Sequence, residues 1–389
     1  MNCNVLPIAA GLLTLGIGAS MSRGESSEES IQFTPVAMKV MKPPIAVKGS
    51  DGRFHVVYEL KLANASPITC NLERLAVLTG DGKEIATYVG EKLAAITSLL
   101  GGRDPVSVIG AHQMAVVWMH LSFAPGSVPK QIEHELTIGS EKGTITEKGG
   151  ESEVSDDVIT LGPPLEGERW VAVDSCCESL THRRALMGLN GHLYLAQRFA
   201  IDWEQLNDQH RTSSGDLQKV ESYSCYGKRV FAVADAEVVA AVDEFQNQVP
   251  GGLPGKLPPE EIDGNHIILK LANGPFALYA HLKPGSLRVK SGQRVKRGEV
   301  IAQVGNTGNT SAPHLHFHVM SRPSALGSNG IPYVIDAFEV TGIVPSIDTY
   351  NKMEDEGGVV PVNALPEPRA CVDELPMQLS VVHFPTIGE

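Results

Sequence analysis

The chain is expected to be all-β, with an N-terminal Ig-like β-sandwich and a C-terminal antiparallel β domain of barrel-sandwich hybrid-like form. Three observations carry this expectation. Glycine (39 residues) and proline (25) are abundant while aromatic residues are only 5% of the chain, which favours turns and short strands over long helices. Apolar residues recur in short runs such as His55-Val56-Val57-Tyr58-Glu59-Leu60-Lys61-Leu62, the pattern of a half-buried strand. Turn signals, Gly49-Ser50-Asp51-Gly52 and Gly80-Asp81-Gly82 among them, separate those runs. A length of 389 residues suits two domains better than one.

Residues 1–22 read as a secretory signal. Their apolar run, 5–19, is shorter than the ~20 residues that span a bilayer, and the small residues Ala19-Ser20-Met21-Ser22 suit cleavage. No Lys or Arg precedes the run, so the α-amino group alone supplies positive charge there. The chain is therefore expected to be secreted or periplasmic, with no integral membrane segment beyond the signal. Residues 23–32, rich in Ser and Glu, form a flexible leader.

The sandwich is assigned to 33–138, with Leu75-Ala76-Val77-Leu78 and Met114-Ala115-Val116-Val117-Trp118-Met119 as further strands. It shows no cluster of catalytic residue types and reads as a spacer or binding module. Ala37-Met38-Lys39-Val40 resembles a biotin-attachment tetrapeptide. Lys39, however, lies far from any glycine-cornered hairpin. Residues 139–160 are polar, charged and glycine-rich, and are assigned to a linker.

The second domain is assigned to 161–344. His266-Ile267-Ile268-Leu269-Lys270-Leu271 and Phe276-Ala277-Leu278-Tyr279-Ala280-His281-Leu282 flank Asn273-Gly274 and predict a hairpin. Regular glycines follow, at Gly292, Gly298 and Gly305. The Pro- and Gly-rich stretch 247–263 is expected as a surface loop. The tail 345–389 ends with an apolar run, 378–384, that suits an added strand.

Acidic residues number 45 against 32 basic ones, a formal charge of −13. That balance argues against nucleic acid as the main partner, because phosphate binding rests on clustered Lys and Arg. The six cysteines form no C-x-x-C pair, which argues against a zinc ribbon or a thioredoxin-like site. Export would permit a disulfide between the Cys176/Cys177 pair and Cys225.

The sharpest signal is Pro313-His314-Leu315-His316-Phe317-His318-Val319-Met320. On a strand the three histidines share one face, and Leu315, Phe317 and Val319 share the other. Same-face imidazoles two residues apart can address one metal ion. The preceding turn, Gly305 to Ala312, is too polar for a core and suits a cleft lining.

The run Gly305-Asn306-Thr307-Gly308 through Pro313-His314-Leu315-His316-Phe317 resembles the signature of lysostaphin/LytM-type zinc endopeptidases, which cut peptide bridges in bacterial cell wall. Tyr279-Ala280-His281-Leu282 is similar to that family's upstream catalytic-histidine strand, and 286–305 to its glycine-cornered hairpins. Arg198-Phe199-Ala200-Ile201-Asp202 falls where the family has its first metal motif, His-x-x-x-Asp. The resemblance covers about residues 185–320. It implies a peptidase-type second domain, Zn²⁺ as cofactor, and a cell-wall (peptidoglycan) peptide as substrate. It implies metal binding by Asp202 and His316, with His281 and His314 serving the reacting water and the developing oxyanion. Zinc lowers the pKa of a bound water toward ~7 and polarises a carbonyl.

Two positions depart from the family pattern. Arg198 stands where the first histidine ligand belongs, and a guanidinium binds no zinc; it could pair with Asp202 instead, or form a structural salt bridge with another carboxylate. His318 stands where the family has Glu, and on its face of the strand it could supply the missing nitrogen. The expected ligand set is therefore Asp202, His316 and His318, with His182 and His192 as further candidates. The function expected is a secreted zinc metallo-endopeptidase. The alternative is a degenerate relative that binds peptidoglycan or a partner hydrolase.

Overall fold

The computed structural model of the chain describes residues 33–272 and 274–388. The expected signal and leader, 1–32, lie outside the described residues. Among those described, no helix is long and apolar enough to cross a membrane.

Alternation along Phe54–Asn64 sets the first layer. This strand lies between Val36–Val40 and Met114–Phe123, all antiparallel. Thr97–Leu99 pairs with the far side of Met114–Phe123. A second sheet runs Gly143–Glu153, Gln131–Ser140, Cys70–Thr79, Glu84–Val89. Val56, Tyr58, Leu60, Leu75, Val77 and Leu136 are buried between the two sheets, the inner faces of a sandwich. The opposite face of Phe54–Asn64 carries His55, Val57 and Glu59. Val57 joins a second core with Leu161, Trp170, Trp203 and Phe317.

The linker expected at 139–160 is corrected by this topology. Gly143–Glu153 is a strand paired antiparallel with Gln131–Ser140. Its charges and glycines suit a sheet edge, where one side of the ladder has no strand partner. The sandwich thus extends past residue 138, and the chain from Pro35 onward forms one compact unit.

A ten-stranded antiparallel sheet positions the histidines. Its order is Arg294–Val295, Ala236–Val242, His266–Lys270, Phe276–Ala280, Leu315–Met320, Ile201–Gln205, Gly167–Val173, Ser380–Phe384, Phe338–Ile343, Asn363–Cys371. The path has two ends and closes no barrel. The hairpin read at 266–282 is present, with Ile268 opposite Leu278. Ser380–Phe384, from the tail, sits inside the sheet between Gly167–Val173 and Phe338–Ile343.

The expected pairing of Cys225 with the Cys176/Cys177 pair is also corrected. Cys176 and Cys177 are bonded to each other. Cys225 is a free, buried thiol whose Sγ lies 2.9 Å from the carbonyl of Pro313.

Candidate active site

Register brings the site together. Leu315–Met320 lies between Ile201–Gln205 and Phe276–Ala280, with Asp202 and Ala280 both opposite His316. Opposed residues share a sheet face, so the Asp202 carboxylate meets the His316 ring, Oδ1 to Nδ1 at 2.7 Å. On the other face Leu315, Phe317 and Val319 enter the second core.

His182 arrives from outside the sheet, on the irregular segment between Val173 and Met187. Ser179 Oγ donates to Asp174 Oδ1 and accepts from the His182 backbone N–H. The Asp174 carbonyl is 2.9 Å from His182 Nδ1, which fixes Nδ1–H as a donor. Nε2 then faces Asp202 Oδ2 at 3.3 Å. His182, Asp202 and His316 offer two nitrogens and a carboxylate oxygen within 4.8 Å of one another, a donor set that fits a divalent zinc-like ion.

The electrostatics agree with that fit. Burial disfavours a charged His182, but the Asp202 carboxylate outweighs it and holds the imidazole up at about 9. Burial likewise opposes the Asp202 charge, yet His182, His314 and His316 keep its carboxyl well below the usual range. A field that retains a proton on His182 Nε2 also favours a metal cation in its place.

His281 and His314 complete the cleft. The His281 Nδ1–H donates to the Thr307 carbonyl at 2.7 Å, and the His314 Nδ1–H to the Ala312 carbonyl at 2.9 Å. Both rings thus turn Nε2 into the cleft. His314 Nε2 lies 3.5 Å from Asp202 Oδ1, and the His281 and His314 ring centres are 4.8 Å apart. Burial, reinforced by the neighbouring imidazoles, pushes His281 well below the ordinary histidine range. Its backbone has φ of 60°, a conformation sparsely populated for non-glycine residues.

The turn Gly305–Ala312 is built to hold these rings. The Thr307 hydroxyl donates to the Leu282 carbonyl at 3.0 Å and accepts from the Asn265 N–H. Gly308 has φ of +83°, and a Cβ there would collide with the Gly264 backbone. The surrounding cavity is about 380 Å³, with His182, Asp202, His281, His314 and His316 on its wall and Leu253 of the 247–263 loop at its rim.

Three readings of the sequence need correction. His318 is not brought to the metal-binding edge. Its Nδ1 meets His316 Nε2 at 2.9 Å, on the nitrogen that does not face Asp202, and it belongs to none of the candidate metal groups among the described residues. Arg198 does not pair with Asp202; its other reading, a structural salt bridge with a carboxylate, holds. It crosses to the sandwich, with Nη1 2.8 Å from Glu59 Oε2 and Nη2 3.0 Å from the Gly330 carbonyl. His192 is exposed on the strand His192–Tyr194 and lines no part of the cleft.

Sequence reasoning passed over Glu204. It shares the Asp202 face two residues on, accepts from the Tyr350 hydroxyl at 2.8 Å, and is pushed well up by burial and then by Glu354. The alternation Asp202-Trp203-Glu204 was the available signal.

Residues 220–327 match Peptidase family M23. The lysostaphin/LytM-type resemblance therefore holds for the segment with His281, His314 and His316, whereas His182 and Asp202 lie before it. Cell division protein DipM of Caulobacter vibrioides is 37% identical over 98 residues, covering 25% of this chain and 13% of that protein. Peptidoglycan DD-endopeptidase ShyA of Vibrio cholerae is 39% identical over 59 residues, covering 15% of this chain and 13% of that protein. The chain thus spans about an eighth of the length of these curated relatives. Among solved structures, the catalytic domain of lysostaphin from Staphylococcus simulans is 25% identical, with 36% of this chain and 80% of that one covered and a TM-score of 0.21. A zinc containing peptidase from Vibrio cholerae is 13% identical over 76% of this chain and 83% of that one, TM-score 0.21.

Proposed function

We propose that the chain is an exported zinc metallo-endopeptidase acting on cell-wall peptides. The observation that carries this reading is the convergence of His182, Asp202 and His316 beside two imidazoles with Nε2 atoms turned to the cleft. His182 takes the place left by Arg198, so the departure that motivated the binding-only alternative is compensated. Export is supported by the apolar run at 5–19 and by the match to a peptidoglycan endopeptidase.

In this reading His182 Nε2, an Asp202 oxygen and His316 Nδ1 hold the ion. Once bound, zinc polarises the scissile carbonyl and acidifies a water. The chain does the rest. His281 and His314 each hold Nδ1–H on a backbone carbonyl, which leaves Nε2 as the ring nitrogen turned to the cleft. One Nε2 takes the proton of the attacking water. That imidazole, now a donor, stabilises the tetrahedral oxygen and returns the proton to the leaving amine. His318, bonded to His316 Nε2, and the Asp174 carbonyl, bonded to His182 Nδ1, hold the ligand rings in place.

The test pairs metal analysis of the purified chain with mass spectrometry of cross-linked peptidoglycan fragments after incubation. The reading expects one tightly bound zinc and new peptide termini. Zinc without hydrolysis would refute the peptidase activity; the absence of both would favour the binding-only alternative.

A further inference from the structure

A second histidine pair lies at the seam between the sandwich and the segment that carries His182. His55 projects from Phe54–Asn64 on the face that leaves the sandwich core, and His120 from the neighbouring Met114–Phe123. His55 Nδ1 faces His120 Nε2 at 2.9 Å. The outer nitrogen of each ring is held by a carboxylate. Asp51 Oδ1 is 3.1 Å from His55 Nε2, and Glu178 Oε1 is 2.7 Å from His120 Nδ1. Carboxylate–histidine pairs whose free nitrogens converge are the usual backing of a metal site, because the carboxylate fixes the tautomer and raises ligand basicity. The Cys177 Sγ completes the group, all three donor atoms lying within 4.8 Å of one another.

We infer that His55, His120 and Cys177 form a second, thiol-gated site for a soft or borderline divalent ion such as zinc. The site is distinct from the Asp202 cleft and does not rest on the proposed peptidase activity. Its gate is the Cys176–Cys177 disulfide, which withholds the sulfur as a ligand. Two electrons and two protons from a dithiol reductant open that bond to two thiols, and the reductant leaves as its own disulfide. Metal entry then releases the Cys177 proton to solvent and forms a metal–thiolate bond. The proton shared by the two facing nitrogens is displaced as well. Nitrogens sharing a tetrahedral ion at ~2.0–2.1 Å sit about 3.4 Å apart, so the rings need only a small separation. The ring of His120 is 21% exposed and the Glu178 side chain 60%, which gives the ion a way in. A fourth position falls to water or to Glu178. Because the ligands come from two sandwich strands and from the 174–186 segment, occupancy ties that segment to the sandwich six residues or fewer from His182.

Cobalt(II) is the probe, because a cobalt–thiolate bond has its own near-ultraviolet charge-transfer band. The full chain carrying Asp202→Ala and His316→Ala, to remove the first site, is titrated with cobalt before and after reduction. A trialkylphosphine serves as reductant, taking its oxygen from water and adding no competing thiol. The expected result is one cobalt with the charge-transfer band after reduction and none before. Cys177→Ser abolishes the band, and His120→Gln weakens binding at least about tenfold with an unchanged circular dichroism spectrum. No cobalt uptake on reduction overturns the inference. So does a band that survives Cys177→Ser, which would belong to another thiol such as Cys176, freed of its partner, or affinity untouched by His120→Gln.

Discussion

His182 Nε2 faces Asp202 Oδ2 at 3.3 Å, although twenty residues and a change from irregular chain to strand separate them. This pair stands where a His-x-x-x-Asp motif would place both ligands on one short stretch. On the proposed reading, a histidine ligand is relocated within the chain rather than lost.

Metal content should follow that relocation. His182→Ala and His316→Ala are each expected to lose the stoichiometric metal of the Asp202 cleft. His318→Ala should retain it with affinity lowered about 10–100-fold, the usual effect of removing a ligand's backing group. Competition with a chromogenic chelator measures all three. Equal loss in His318→Ala and His182→Ala would mean that His318 ligates directly.

Catalysis and metal binding should separate at His281. It is expected to lower kcat by about 10²–10⁴-fold when changed to alanine, with zinc content unchanged. Loss of zinc in this variant would make His281 a ligand through Nε2 and remove it from the reacting-water role.

Arg198 has a different task. It and Glu59 form an ion pair in which both side chains are buried. Arg198→Ala leaves the Glu59 charge unpaired and should cost roughly 3–5 kcal/mol, whereas the joint replacement Arg198→Met with Glu59→Leu should cost much less. Urea denaturation at neutral pH decides the matter, and a single variant within 1 kcal/mol of the parent, about the ceiling for an exposed ion pair, would show that the pair carries little stability.

Acid should weaken the sandwich through His134. Burial outweighs its bond to the Gly150 carbonyl and lowers its pKa from 6.5 to about 4. Between those values the unfolded chain binds the proton and the folded chain does not. Stability is therefore whole above about pH 6.5 and declines as the pH falls toward 4, by about 3 kcal/mol. His134→Gln should flatten this part of the pH profile, and parallel curves for the two proteins would remove the assignment.

Much of the fold was legible because period-2 runs and turn glycines are local. The histidine strand was legible for the same reason, since alternation alone sets His314, His316 and His318 on one face. Alternation did not show which nitrogen of each ring faces the carboxylate, so His318 read as a candidate ligand, although its ring meets His316 Nε2 rather than Asp202. His182 was only one candidate among several because its position depends on the tertiary path of an irregular segment. Gly143–Glu153 hid as a linker because an edge strand tolerates glycine and charge that a central strand does not. Arg198 was read as pairing with Asp202 or as a structural salt bridge with a carboxylate, and the sequence could not name the partner. Its true partner lies 139 positions earlier, beyond the reach of any local pattern.

Ser380–Phe384 has one further implication. This strand lies between Gly167–Val173 and Phe338–Ile343, and Gly167–Val173 is the immediate neighbour of the Asp202 strand. During synthesis Gly167–Val173 keeps a bare hydrogen-bonding edge until residue 384 has emerged from the ribosome. The histidine cleft therefore cannot complete its scaffold before this strand is made, and a chain cut short of residue 380 carries its histidines beside an unpaired strand.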